Sequence, residues 1–219
     1  MRVVIAGGHG KIALELERLL AARADAPVGL VRNPDHTEDL HAAGAEAVVC
    51  DLERAGADEL AGHLKGADAV VFAAGAGPGS GADRKDTVDR AAAVLLAEAA
   101  ELAGVRRYLL VSSMGVDRAP APGTDEIWAA YLRAKLAAEQ EVSARDLDWT
   151  VLRPGGLTDD APTGQVHLAP PSVPRATVTR ADVAAVLAAL LDEPRTAGQV
   201  LELVNGEVPI SSAVRSLLN

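Results

Sequence analysis

Tyr131 and Lys135 stand four residues apart in "YLRAKLAAE" (131–139), inside a long alanine-rich amphipathic stretch. On a helix turning about 100° per residue, Lys135 projects within about 40° of Tyr131, and Ile127, Ala134, Ala138 and Val142 within about 60°. Arg133 and Gln140 point almost oppositely, so the pair faces a partly apolar, inward side. A tyrosine there is ordinary core. A lysine there needs a partner, because an unpaired buried ammonium is costly; the alternative is a lysine that snorkels outward. The chemistry open to the pair is proton transfer. An ammonium one turn from a phenol lowers its pKa from about 10 toward the working range. Such a pair acts only beside a bound reactant, and the opposite end of the chain offers a place for one.

"RVVIAGGHGKIALELERLL" (2–20) is a strand, a glycine turn and a helix in immediate succession. Gly8, Gly10 and Ala13 fit the dinucleotide pattern of two spaced glycines and a small third residue; Gly7, Gly10 and Ala13 fit its wider variant. Glycines permit the tight turn and let backbone amides approach a pyrophosphate, while a small third residue lets helix and strand pack closely. The free N–H groups and positive dipole end of the helix face the phosphates. Lys11 in the first helical turn opposes the dipole, and a bound phosphate would offset that. Gly7, Gly8, His9, Gly10, Lys11 and Ile12 are the expected cofactor contacts of this turn. An NAD site carries an acid about 20 residues further on, for the ribose hydroxyls. Here "VGLVRNP" places Arg32 there, followed by Asn33. A guanidinium suits a 2′-phosphate through fork-shaped, charge-assisted bonds, so the expected cofactor is NADP rather than NAD. Asp51, with Leu52 beside it in "VVCDLE", can accept a bond from an adenine amine or start a helix. Ala73, Ala74 and Gly75 in "FAAGAGPG" (72–79) are small enough to pass close to the ribose and nicotinamide half.

The 219 residues and 22.5 kDa suit one domain, residues 1–219, with a sizeable core. Hydrophobic residues make up 49% but aromatics only 2%, so that core is built from Ala, Val and Leu. A net charge of −10 argues against nucleic acid or an anionic membrane as a partner. The single cysteine, Cys50, excludes an internal disulfide framework and closes the apolar run "AEAVVC" as a buried thiol. No signal peptide or membrane span is expected, which places the protein in the cytoplasm. The histidines show no metal spacing or paired acid; His9 lies in the glycine turn and the others are expected at the surface.

Strands are expected at about 2–6, 27–31, 46–50, 68–73, 106–112 and 149–153, with a late one at 199–204. Helices are expected at about 11–23, 35–43, 57–64, 83–103, 126–145, 180–192 and 209–217. The strands are continuous apolar runs, as in sheets covered on both faces. Their alternation with helices predicts an α/β fold with a Rossmann-like, doubly wound parallel sheet. "APAPG" (119–123) is a loop, and Thr124 or Asp125 can cap the helix that follows.

In this order, "AGGHGKIA", "VRNP", "CDL", "FAAGAG", "LLVSSMG", "YLRAKLAAE" and "WTVLRPGGLTDD" resemble the short-chain dehydrogenase/reductase superfamily. The likeness is to its atypical NAD(P)H-binding members, related to the extended branch, and spans nearly the whole chain. It implies a nicotinamide cofactor, a tyrosine and lysine near its reactive ring, and a "RPGGL" turn (153–157) over the nicotinamide. Pro154, Gly155, Gly156 and Leu157 join the expected cofactor contacts on that ground; Pro154 fixes φ and the glycines let amides point inward. The superfamily's catalytic serine maps to Ser113, with Ser112 the alternative, because Met114 holds the position where that serine often falls. The implied activity is hydride transfer from NADPH to a carbonyl of a small molecule, with Tyr131 donating the proton, Lys135 orienting the ribose and Ser113 holding the substrate oxygen. About 65 residues follow Pro154, a short C-terminal extension on the substrate side that argues against a large nucleotide-sugar substrate. Two alternatives are a redox-sensing regulator that binds NADP without turnover, and an epimerase or dehydratase that retains its cofactor. Substrate, stereochemistry and oligomeric state are left open, a homodimer included.

Overall fold

The computed structural model describes residues 1–77, 79–118 and 123–218. Pro78 of the small-residue segment and residues 119–122 of the "APAPG" loop lie outside these. The first half alternates regularly: β1 (Arg2–Ala6), α1 (Lys11–Ala22), β2 (Ala26–Val31), α2 (Thr37–Ala42), β3 (Glu46–Val49), α3 (Ala57–Leu64) and β4 (Ala69–Phe72). A helical region follows, and then β5 (Arg107–Val111), α6 (Glu126–Ser143) and β6 (Asp148–Pro154). The remainder holds β7 (Gly156–Thr158), β8 (Gln165–Ala169), β9 (Thr177–Thr179), α7 (Arg180–Leu191), β10 (Gln199–Asn205), β11 (Val208–Pro209) and α8 (Ile210–Ser216).

The main sheet runs β3-β2-β1-β4-β5-β6-β10-β8-β11. It is parallel from β3 to β10, and β8 and β11 pair antiparallel at the far edge. Alternate residues of one strand feed two cores. Val3 and Ile5 pack with α1 and α7 on one face, and Val4 and Ala6 with α3 and the helix Ala92–Ala103 (α5) on the other. This is the two-sided covering that continuous apolar strands demand. The chain leaves β1 toward β2 on one side and returns through β4 on the other, so the crevice at the carboxyl ends of β1 and β4 is the switch point where ligands bind.

Three departures from the sequence reading matter for the site. The single helix expected at 83–103 is α4 (Ala82–Arg84), a wide π-helical turn (Lys85–Ala91) and α5 (Ala92–Ala103). The helix expected at 35–43 opens with a 3₁₀ turn (Pro34–His36), where Asn33 caps Asp35 N–H. The RPGG turn is held by an unanticipated parallel pairing of β7 with β9. On α6, capped by Asp125 on Trp128 N–H, burial starts at Ala129, so Ile127 is exposed despite lying on the Tyr131 face.

Candidate functional site

A cavity of about 560 Å³ opens over the switch point, within the usual range for ligand pockets. Gly7 and Gly10 form its floor, and His9 and Lys11 its near edge. Gly7 sits at φ +82°, and a Cβ there would meet Ala74 Cα at 2.6 Å. Only glycine allows the turn to close on the β4 end. Gly10 caps α1 without a side chain, and no acid occupies that helix's first turn, so its amides are open to an anion. Gly8 turns inward: its amide donates to Leu30 O at 3.0 Å, and a Cβ would lie 2.8 Å from Gly29 Cα. Ile12 packs against the core. The wider glycine pattern is thus the one facing the cavity. Lys11 and His9 have protein partners, Lys11 Nζ with Asp159 at 2.5 Å and His9 Nε2 with Asp39 at 2.7 Å. His9 also stacks on His36 at 3.6 Å between ring centroids. The acid beside His9 was not anticipated, because it comes from α2.

Arg32, Asn33, Asp51 and Leu52 line the cavity where β2 and β3 end. There Glu53 gathers cations: Arg32 Nη1 lies at 3.0 Å, Arg84 Nη2 at 2.6 Å, and the Thr87 hydroxyl donates at 2.8 Å. The hydrogen bond from Arg84, helped by Thr87 and the charge of Arg32, holds the Glu53 carboxyl below the usual carboxylate range. Asp51 accepts Glu53 N–H at 3.1 Å and shapes the turn after β3. Cys50 in the cavity wall comes near Glu59 and His63, with ligand atoms of all three within 4.8 Å of one another. The fold therefore places His63 beside a thiol and an acid, which its sequence spacing hid. Burial, with the charges of Glu59 and Asp51, pushes the Cys50 thiol pKa up and keeps it a neutral buried thiol.

Ala73, Ala74 and Gly75 line the opposite end of the cavity, and Lys135 lies behind them. Its ammonium is buried rather than snorkelling; it donates to Val111 O at 3.1 Å and Ala74 O at 3.4 Å, and pairs with Asp89 Oδ1 at 3.3 Å. Asp89 is fully buried in the π-helical turn and also accepts Ala76 N–H at 3.3 Å. Burial lowers the Lys135 pKa, and Asp89 opposes that shift. Lys85, from the same turn, sits 5.6 Å from the centre of the Tyr131 ring and donates to Gly77 O at 3.0 Å. The Tyr131 phenol is pushed up to about 12, first by burial and then by Asp89, against a hydrogen bond from Ser113 that lowers it. This reverses the expectation of a lowered phenol. The carboxylate paired with Lys135 cancels its charge, and the ammonium lies 5.9 Å from the ring centre.

Ser113 is the serine that faces Tyr131. Ser112 is buried and donates to Glu139, which also holds Arg153 through bonds of 3.0 and 2.6 Å. A second cavity of about 370 Å³ adjoins Ser113, with Met114 and Trp128 on one side and Pro154, Gly155, Gly156 and Arg175 on the other. Leu157 lies outside both cavities and is exposed. Tyr131 neighbours residues of both: Lys85, beside its ring, donates to Gly77 of the first cavity, and Trp128, stacked on it, lines the second.

The family model described as NAD(P)H-binding matches residues 7–194, from the glycine turn to just beyond α7. The chain belongs to this NAD(P)H-binding family. Among its relatives, the uncharacterized sugar epimerase YhfK of Bacillus subtilis is 35% identical over 99% of this chain and 100% of its own length. A Bacillus halodurans structure, provisionally named an NAD-dependent epimerase/dehydratase, superposes with a TM-score of 0.90 at 37% identity, covering 99% of this chain and 100% of that one. The oxidoreductase ylbE of Lactococcus lactis superposes at 0.87 and 28% identity, covering 100% and 97%. Membership makes this a nicotinamide-cofactor-binding protein of an oxidoreductase- and epimerase-like family. Among the described residues no helix is long and apolar enough to cross a membrane.

For this NAD(P)H-binding chain, Lys85, Asp89, Arg84 and Glu53 escaped the sequence reading. The run "RKDTVDR" looks like a solvated helix start. Its one legible signal is the four-residue spacing of Lys85 and Asp89, which places both on one face.

Proposed function

We propose that the protein is an NADP-dependent oxidoreductase that reduces a carbonyl or similar group of a small molecule, with Tyr131 as proton donor. The observation that carries this reading is the neighbourhood of Tyr131: Lys85 and Lys135 lie 5.6 and 5.9 Å from its ring centre, Trp128 stacks on it, and burial and Asp89 hold the phenol protonated near Ser113, which lines the second cavity. The glycine cradle and the acid-free start of α1 fit a dinucleotide pyrophosphate. Arg32 and Arg84 already grip an anion in Glu53, and a 2′-phosphate offers the same fork a stronger charge. When bound, the cofactor supplies the hydride. Tyr131 Oη then gives its proton to the substrate oxygen, and the Ser113 hydroxyl holds that oxygen in place. Lys135 has three acceptors in the protein, of which Ala74 O, at 3.4 Å, is the weakest; a ribose hydroxyl would replace it. Asp89 opposes the lowering of the Lys135 pKa by burial and holds the lysine in position. The elements after Pro154 form the substrate side.

An epimerase or dehydratase that recycles a retained cofactor is the second reading, favoured by the names of the Bacillus relatives. The deciding experiment offers NADPH and a panel of carbonyl compounds to the purified protein. Net NADPH consumption with alcohol formation supports the reductase. Tight NADPH binding without net consumption, together with substrate isomerisation or loss of water, transfers the reading to the epimerase or dehydratase. Binding without any turnover, with a co-purifying protein, leaves the regulator.

A further inference from the structure

The second cavity has one charged side chain in its lining, Arg175. Arg175 Nη2 donates to Met114 O at 3.3 Å, and among the described residues no carboxylate pairs with it. In a chain of net charge −10, where eleven of the 17 arginines pair with a carboxylate among the described residues, Arg175 is among the minority that do not. The position is built. Gly115, at φ +87°, lies under the guanidinium, and a Cβ there would meet Arg175 Nη2 at 2.9 Å. The neighbouring Ala176 carbonyl accepts Gly156 N–H at 3.0 Å and leaves no room for a Cβ on Gly155, where the gap is 2.2 Å. The RPGG turn and the β7–β9 pairing thus fix the backbone that carries Arg175. Its guanidinium and the Ser113 hydroxyl converge on one atom, the Met114 carbonyl oxygen, at 3.3 and 3.4 Å. The cation therefore stands within a small molecule's length of the Ser113–Tyr131 pair. Trp128 stacks on Tyr131 at 5.0 Å and 26° and extends the phenol into a flat apolar wall.

The geometry points to a binding site for a planar, conjugated carbonyl compound that carries a carboxylate: the carboxylate forks onto Arg175, the flat body lies along Trp128, and the carbonyl oxygen reaches Ser113 and Tyr131. A guanidinium has five donors, and its single bond to Met114 leaves an edge for two parallel bonds to a carboxylate. This assignment deepens the reductase reading and rests on it for the reaction, but not for the binding.

The test uses 4-formylbenzoate and its neutral twin 4-formylbenzamide, titrated calorimetrically into the protein with and without NADP⁺ and assayed as substrates with NADPH. The acid should bind roughly ten-fold or more tightly than the amide, and its KM should be lower by a similar factor. Arg175→Met should bring the acid to the level of the amide while NADPH affinity stays unchanged, which also shows that the variant folds. Arg175→Lys should keep part of the preference. Equal binding of acid and amide, no binding of either, or an acid preference that survives Arg175→Met would overturn the assignment. Arg175-dependent binding of the acid with no reduction of either compound would uphold the site and sink the reductase reading alone.

Discussion

The two ends of the cavity over the switch point handle charge in opposite ways. At the end beside β2 and β3, Arg32 and Arg84 keep 58% and 40% of their side-chain surface exposed around Glu53. At the end beside β4, Lys135 and Asp89 retain 5% and 1%. Exposed ion pairs contribute about 0–1 kcal/mol and rearrange at little cost, so in the proposed function a cofactor phosphate takes the place of Glu53 there. A buried pair is different: breaking it leaves an uncompensated charge, which costs about 3–5 kcal/mol. In the proposed function the first end selects the cofactor, and the second holds geometry.

Lys135→Ala should break this contrast most severely. Asp89 would remain fully buried without its partner, so denaturant unfolding should show a loss of about 3–5 kcal/mol, with weaker cofactor binding and slower turnover. Adding Asp89→Asn should recover part of the stability but not the rate.

A third charge bears on the floor between the two ends. Glu17 on α1 is fully buried, neither carboxylate oxygen has a hydrogen-bond partner among the described residues, and burial raises its pKa from 4.5 to about 8. The folded chain holds this proton where the unfolded chain has released it. The stabilisation is therefore full below about pH 4.5 and lost as pH rises through about 8. Denaturation at pH 6 and pH 9 should show the wild type losing more stability than Glu17→Gln, which is neutral throughout. Equal losses would mean that Glu17 finds a partner.

Smaller effects belong to the exposed end. Arg32→Ala should erase most of the preference for NADPH over NADH. A charged bond is worth about 1.5–3 kcal/mol, so the calorimetric dissociation constant for NADPH should rise roughly ten-fold or more. Equal wild-type affinities for the two cofactors would sink the assignment of Arg32. Lys11→Gln should do least. Its ammonium is exposed and shared with Asp159, so the NADPH dissociation constant should rise by about two- to five-fold.

Legibility in the sequence follows the same division. The glycine turn and the strand–helix alternation are local patterns, and the strands from β1 through β6 fall where expected, with Arg32 just after β2; the helices expected at 35–43 and 83–103 are the exceptions. Tyr131 and Lys135 were legible as a pair because one helix face carries both. Asp89 was not, since its burial depends on a π-helical turn that only packing against α6 reveals. Arg175 lies in a proline-rich stretch whose position depends on three-residue strands, too short for any alternation to register. Lys135 lies 5.9 Å from the Tyr131 ring centre, on the side expected, but the sign of the phenol's shift was not legible because it depends on Asp89.

The most direct test compares Tyr131→Phe with the wild type on a substrate that the wild type reduces, measuring kcat and NADPH affinity together. The variant removes one hydroxyl and keeps the ring that stacks on Trp128. A positioned acid contributes about 10²–10⁴-fold, so kcat should fall by that factor while the NADPH dissociation constant stays within about two-fold of the wild type. Full kcat in Tyr131→Phe would contradict the account and send the search for the proton donor elsewhere.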